Sequence, residues 1–252
     1  MDLLELSESS RRHPWELARA RAILRIVERH AGDPVRRILD WGCGDGYTGR
    51  FLLDRLRAEA MVGVDVNLTD GQRETLTRAD PRVRLLADEQ QLTQQHFDLL
   101  LFCDVIEHVA DDEGLVEHVV SRFASENGRI IVTVPAFQSL FSLHDVELKH
   151  FRRYNLKQLE DVLRRAGLEV LGSGYLFGSL LPARLATRML EAVRVGQKPR
   201  NGVGIGQWNG GAAITRLTEA ALELDNSLLL ALAEQGVKPP GLSVWASCRR
   251  PA

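Results

Sequence analysis

The sequence is poor in cysteine. Cys43, Cys103 and Cys248 lie far apart and form no C-x-x-C, which excludes a disulfide framework and a thiolate zinc site and fits a reducing compartment. It also lacks a dominant charge. The formal net charge is −2 and no lysine- or arginine-rich tail is present, so no basic field recruits nucleic acid. Arginine far outnumbers lysine, a bias of the kind GC-rich bacterial genomes produce. No apolar run is long enough to span a bilayer, and the opening Met-Asp-Leu-Leu-Glu-Leu is acidic, without a signal-peptide pattern. A soluble, cytoplasmic protein is expected. Internal repeats and low-complexity segments are absent too. With 252 residues, the chain is one large domain or a domain with a small cap.

What is present is alternation. Pro14 suits the first turn of a helix, and Leu17, Ala20, Leu24, Val27 and Ala31 repeat on one face. Short apolar runs at 37–40, 61–65, 83–87, 97–103 and 129–134 then alternate with helical patterns at 47–58, 70–78 and 111–125. This is the pattern of an α/β fold with a parallel sheet covered on both faces. After Pro135 the chain is loop-like to residue 153, and Asn155 caps a helix over 156–166. Runs at 168–171 and 242–248 complete seven strands, and with no short crossover helix between them they predict an antiparallel ending. Four segments follow: an N-terminal helical cap (1–35), a core (36–175), a helical insertion or lid (176–240) and a last core strand (241–252). The insertion carries helical patterns at 180–195 and 212–235, joined by a glycine-rich loop.

The richest segment is 38–51, where Ile38 and Leu39 run into Asp40 and then Gly42, Gly44, Gly46 and Gly49. Strand, glycine loop and helix in this order bring backbone close to a nucleotide-like ligand. Two registers compete. Gly44-Asp45-Gly46-Tyr47-Thr48-Gly49 is a literal G-x-G-x-x-G, whose loop amides would face a pyrophosphate at a helix N-terminus. Asp40 and Asp45, however, would repel a pyrophosphate and suit a cation. The register Asp40-x-Gly42-x-Gly44-x-Gly46 is therefore preferred.

In that register the chain resembles the class I S-adenosylmethionine (SAM) methyltransferases, in the group that includes ubiquinone-biosynthesis-type enzymes. The resemblance covers about residues 36–175. It is carried by Asp40–Gly46, Val62-Gly-Val-Asp65-Val-Asn67, Leu85-Leu-Ala-Asp88-Glu89, Phe97–Val109 with Cys103-Asp104-Val-Ile-Glu107-His108, and Gly128–Pro135, in order. Leu143-His144-Asp145 and His150-Phe-Arg152-Arg153-Tyr154 are similar to a subgroup of these enzymes. The resemblance implies a Rossmann-like, doubly wound, mostly parallel seven-stranded sheet with an antiparallel last strand, and SAM as cofactor. Gly42, Cys43, Gly44 and Gly46 would meet the SAM carboxylate through their amides, and Asp40 would orient the loop or answer the ammonium. Asp65, 19 residues after Gly46, would accept the ribose hydroxyls beside Val66. Asp88, or Glu89, would take the adenine amino group, and Cys103 and Asp104 would face the methionine end.

Methyl transfer needs alignment and exclusion of water, and an oxygen acceptor also needs a base. His144, His150 and Tyr154 are the catalytic candidates, with Asp145 and His108 behind them. Histidine is preferred because it titrates near neutrality. Arg152 and Arg153 could bind a substrate carboxylate or phosphate, or pair with acids of the protein. Glu107-His108 is read as packing the turn after the fourth strand, and no third ligand gives His144, Asp145 and His150 a convincing metal spacing, so no metal is expected. The expected activity is O-methylation of a small molecule with a histidine base, under a cap of the Trp15 helix and the insertion. N- or C-methylation, an NAD(P)-dependent oxidoreductase and a SAM-binding protein without activity are the alternatives. The helix over 180–195 is read as lid or core packing first, then as a homodimer interface or a peripheral membrane contact.

Overall fold

The computed structural model describes residues 12–30, 34–92, 95–193, 208 and 210–251. Seven strands form one sheet: β1 (Arg37–Trp41), β2 (Ala60–Val64), β3 (Val83–Leu86), β4 (Phe97–Cys103), β5 (Ala124–Pro135), β6 (Glu169–Leu176) and β7 (Ser243–Arg249). Their order is β3-β2-β1-β4-β5-β7-β6. The pairs among β1 to β5 are parallel, and β7 runs antiparallel to both β5 and β6. Strand order reverses between β1 and β4, which opens a crevice at the C-terminal edge, where α/β sheets bind ligands.

The central strands are mostly apolar, as over Leu99–Cys103 and Ile130–Val132, because both faces are covered. On one face Leu39, Leu100, Phe102, Ile130 and Val132 pack with Val116 and Val120 of α4 (Asp112–Phe123) and Leu159 and Leu163 of α6 (Leu156–Arg165). On the other, Ile38, Leu99, Leu101 and Ile131 meet α1 (Pro14–His30), α2 (Tyr47–Arg55) and α8 (Ala212–Glu234) through Ile23, Ile26, Leu52, Leu222 and Leu230. Helix α3 (Asp70–Ala79) flanks β3. Arg21 pairs with Glu219 at 2.6 Å and with Glu223, and Arg29 with Glu234 at 3.0 Å. These ion pairs lace α1 to α8, so part of the 176–240 segment lies in the helical layer beside the sheet. Helix α7 (Leu181–Val193) leaves Leu185, Met189 and Leu190 exposed.

Several boundaries shift by one to three residues from the sequence expectation, helix α2 for one ending at Arg55, and three differences bear on the site and its surroundings. Helix α4 stops at Phe123, and the chain enters β5 at Ala124, which pairs with Phe97. The stretch 136–153 contains a short helix, α5 (Leu143–Glu147), opened by a capping box between Ser142 and Asp145. Strand β6 continues through Gly172 and Gly174 to Leu176. At those two glycines a β-carbon would stand 2.5 Å from the His30 ring and 3.0 Å from Trp245 Nε1. These residues therefore make room for aromatic neighbours and do not end the strand.

Candidate active site

The turn from β1 into α2 is left-handed at Gly42 (φ 67°), Gly44 (φ 55°) and Gly46 (φ 71°). At Gly42 the close approach is as strict as the backbone angle, since a β-carbon would lie 2.5 Å from Val105 Cγ2. The loop is held from both sides. Gly42 N donates to Val64 O at 2.7 Å, and Gly49 N donates to Asp40 Oδ2 at 3.0 Å. Asp40 is buried, and burial pushes its carboxyl up to about 7 against the opposing effect of that hydrogen bond. Asp45 accepts from Tyr47 N at 3.1 Å and is ion-paired with Arg12, whose guanidinium stands 3.9 Å from the Tyr47 ring centroid.

The next strand ends deliver acids to the same edge. Asp65 follows β2, and its two oxygens accept from Gly44 N and Asn67 N, each at 2.9 Å. Val66 beside it is 81% exposed, an open edge where a ligand could lie. Asp88, after β3, is exposed and caps a single 3-10 turn by accepting from Gln90 N at 2.9 Å. Glu89 meets His118 Nε2 at 3.0 Å and Arg122 at 3.7 Å. Cys103 is buried at the end of β4, and burial pushes its thiol up to about 12. Asp104 follows with a left-handed backbone (φ 56°), its N–H donating to Thr133 O at 2.9 Å. Its carboxylate is ion-paired with Arg19 of α1.

Arg19 is the residue that sequence reasoning missed. It is 2% exposed and its guanidinium lies 4.6 Å from the Trp15 ring centroid. Nothing in the local pattern ties it to Asp104, 85 positions away. The one available signal was an arginine on the helical face next to Ala18 and Ala22, where a core contact was due.

The connection from β5 to α6 crosses the end of β4. Asp145 is buried and accepts from Ser142 N (2.9 Å), Arg153 Nε (2.7 Å) and Arg153 Nη2 (3.0 Å), and its Oδ1 lies 2.9 Å from His150 Nδ1. Burial opposes its ionisation, but the bonds from His150, Arg153 and Ser142 hold the carboxyl well below the usual range. The His150 ring meets His108 edge-on, centroids 4.5 Å apart. His144 sits on α5, half-buried. Tyr154 is buried and donates to Asp112 Oδ2 at 2.6 Å, and burial together with that carboxylate raises its phenol far above the ordinary value. Arg152 reaches Asp112 at 2.8 Å. Arg152 and Arg153 are thus engaged on acids of the protein. Glu107 is fully buried, neither carboxyl oxygen has a hydrogen-bond partner, and burial pushes it up to about 8.

A family model described as a methyltransferase domain matches residues 14–172. The chain belongs to that methyltransferase family. It is 30% identical over 148 residues to a protein of Mycolicibacterium smegmatis named as a probable S-adenosylmethionine-dependent methyltransferase, covering 58% of this chain and 56% of that one. It is 35% identical over 122 residues to a ubiquinone biosynthesis O-methyltransferase of Azorhizobium caulinodans, covering 43% and 47%. The chain thus spans about half the length of the curated relatives it matches. In fold it is similar to the N-methyltransferase NodS of Bradyrhizobium japonicum, solved with S-adenosylhomocysteine (TM-score 0.52, 14% identity, covering 96% of this chain and 94% of that one). The cofactor of this family is SAM. Asp65, at the open edge beside Val66, fits its diol. The amides of Gly42, Cys43, Gly44 and Gly46, expected to meet its carboxylate, instead donate within the protein to Val64 O, Asp65 and Cys43 O, while Asp40 is buried on Gly49 N and Asp104 is ion-paired with Arg19.

Proposed function

We propose that the protein moves the methyl group of SAM to an oxygen of a small-molecule acceptor, with a histidine of the β5–α6 connection as base. The observation that carries this reading is the Asp145–His150 pair at the edge of the crevice, beside the end of β4. Asp40, Gly42, Cys43, Gly44, Gly46, Asp65, Val66, Asp88, Glu89, Cys103 and Asp104 are the residues we assign to the cofactor. SAM supplies a methyl group on a positively charged sulfur, so the displaced group leaves neutral. The protein then has to hold the acceptor in line, keep water out and take one proton.

His150 suits the last task because Asp145 engages Nδ1 and so aims Nε2, as an orienting carboxylate does for a catalytic imidazole. His144 is the second base candidate. Tyr154, with its hydroxyl on Asp112, serves better to position the connection than to accept a proton. Arg19 joins the assignment: its charge beside Asp104 supports binding of a carboxylate at the methionine end. The exposed Leu185, Met189 and Leu190 of α7 support a further contact with a second copy or a membrane surface. Light scattering, together with liposome flotation of the Leu185→Ser/Met189→Ser/Leu190→Ser protein, separates the two.

The test is release of S-adenosylhomocysteine over a panel of hydroxylated and aminated small molecules. Activity confined to hydroxyl acceptors is expected. Full turnover in both His144→Gln and His150→Gln would remove the base assignment, and turnover confined to amines would move the reading to N-methylation.

A further inference from the structure

Beyond methyl transfer, the turn after β4 brings Glu107 and His108, neighbours in the chain, together with His150, 42 positions further on. One ligand atom each of Glu107, His108 and His150 lies within 4.8 Å of the other two. Two imidazoles and one carboxylate are a donor set for a divalent transition metal, with open positions left for water or a ligand oxygen.

Three further observations point the same way. Glu107 is fully buried, yet neither of its oxygens is hydrogen-bonded. An ionised carboxylate in such a place is costly unless a cation answers it. Among the described residues the guanidiniums whose charge reaches Glu107, Arg19 and Arg153, are spent on Asp104 and Asp145. Second, Asp145 engages His150 Nδ1 at 2.9 Å. This leaves Nε2 for an ion, in the carboxylate–histidine–metal order that fixes a ligand's tautomer and basicity. Third, the turn is locked to the connection that carries His150, since Phe151 N donates to Glu107 O at 2.7 Å. Tetrahedral bonds of about 2.0–2.1 Å put ligand atoms about 3.3 Å apart, so modest side-chain rotations close the site from the separations seen.

We propose that Glu107, His108 and His150 bind one divalent ion of the zinc and cobalt class. The site lies three residues beyond Asp104, next to the place assigned to the acceptor. An acceptor oxygen on an open position would be oriented and polarised there. That role rests on the O-methylation reading with His150 as ligand in place of base, whereas binding of the ion does not rest on it. In the ion-loaded protein His150 is a ligand, and the proton of a bound hydroxyl is lost to solvent.

The experiment is a titration of the metal-stripped full-length protein with cobalt(II), followed by visible absorption and by metal content after gel filtration. One equivalent is expected, with ligand-field bands that zinc(II) abolishes. Glu107→Gln is nearly isosteric, and His150→Gln keeps a polar group. Each should weaken cobalt binding by at least about tenfold, and Asp145→Asn by about 10–100-fold through its effect on His150. His118→Ala, on an exposed histidine elsewhere, should change nothing. Circular dichroism of each variant separates lost ligation from lost folding. Absence of stoichiometric binding to the wild-type protein, or binding that survives both Glu107→Gln and His150→Gln in folded protein, overturns the proposal. Because neither readout needs SAM or an acceptor, this failure is distinct from failure of the O-methylation reading.

Discussion

Asp65 carries two backbone hydrogen bonds in the ligand-free protein, from Gly44 and from Asn67. An acid that both shapes the loop and faces the crevice should matter for affinity. Asp65→Ala is expected to weaken S-adenosylhomocysteine binding by about 1–3 kcal/mol, the usual cost of losing hydrogen bonds to a charged acceptor, read by calorimetry. Gly42→Ala should cost about 1–3 kcal/mol of stability, because a left-handed backbone and Val105 both resist the methyl group; a denaturant melt reads it. Asp40 gives a prediction with a sign. Burial raises its carboxyl from 3.8 to about 7, so its stabilising contribution is complete below the unfolded value and is lost as pH rises through the folded one. Asp40→Asn keeps an acceptor for Gly49 N and removes the charge. Its stability relative to wild type should therefore improve by a few kcal/mol between about pH 4 and pH 8. A pH-independent difference would show that Asp40 does not titrate in this window. At this scale the glycines and acids of the loop were legible in sequence because they are local. Arg19 was not, because its partner Asp104 comes from another element.

Each element was legible where its signal lay within a few residues. Asn155 opens α6 with a reciprocal capping box: its side chain accepts from Gln158 N, and Gln158 Oε1 accepts from Asn155 N, both at 2.9 Å. Asn155→Ala should cost about 0.5–2 kcal/mol, measured by urea unfolding. The same change should also loosen the β5–α6 connection that carries His150, five residues upstream. Where elements differed from expectation, the cause was a neighbour distant in sequence. Strand β6 extends through two glycines because His30 and Trp245 occupy the space their side chains would need. Helix α5 forms in a stretch that reads as loop because the Asp145 carboxylate is shared among Ser142, His150 and Arg153.

At the scale of the whole molecule, the ligand test is thermal. S-adenosylhomocysteine at about 100 times its Kd should stabilise the protein by about 2.7 kcal/mol, seen as a rise in Tm, and NAD(H) should give none. A response to NAD(H) alone would contradict the cofactor assignment. Among the described residues no helix is long and apolar enough to cross a membrane. Helices α1, α2 and α8 share one face of the sheet and α4 and α6 the other, so the crevice edge is shaped by segments from both ends of the chain.

By itself the sequence determined the α/β alternation, the antiparallel ending and the glycine loop with its acids. Those depend on periodicity, turn chemistry and spacing, which are properties of neighbouring residues. Only the tertiary structure decided what stands opposite the loop: Arg12 on Asp45, Arg19 on Asp104, Asp145 on His150, and Glu107 beside His108 and His150. Such pairings are set by how the β4, β5 and α1 ends meet in space, and burial then decides which charges they can carry.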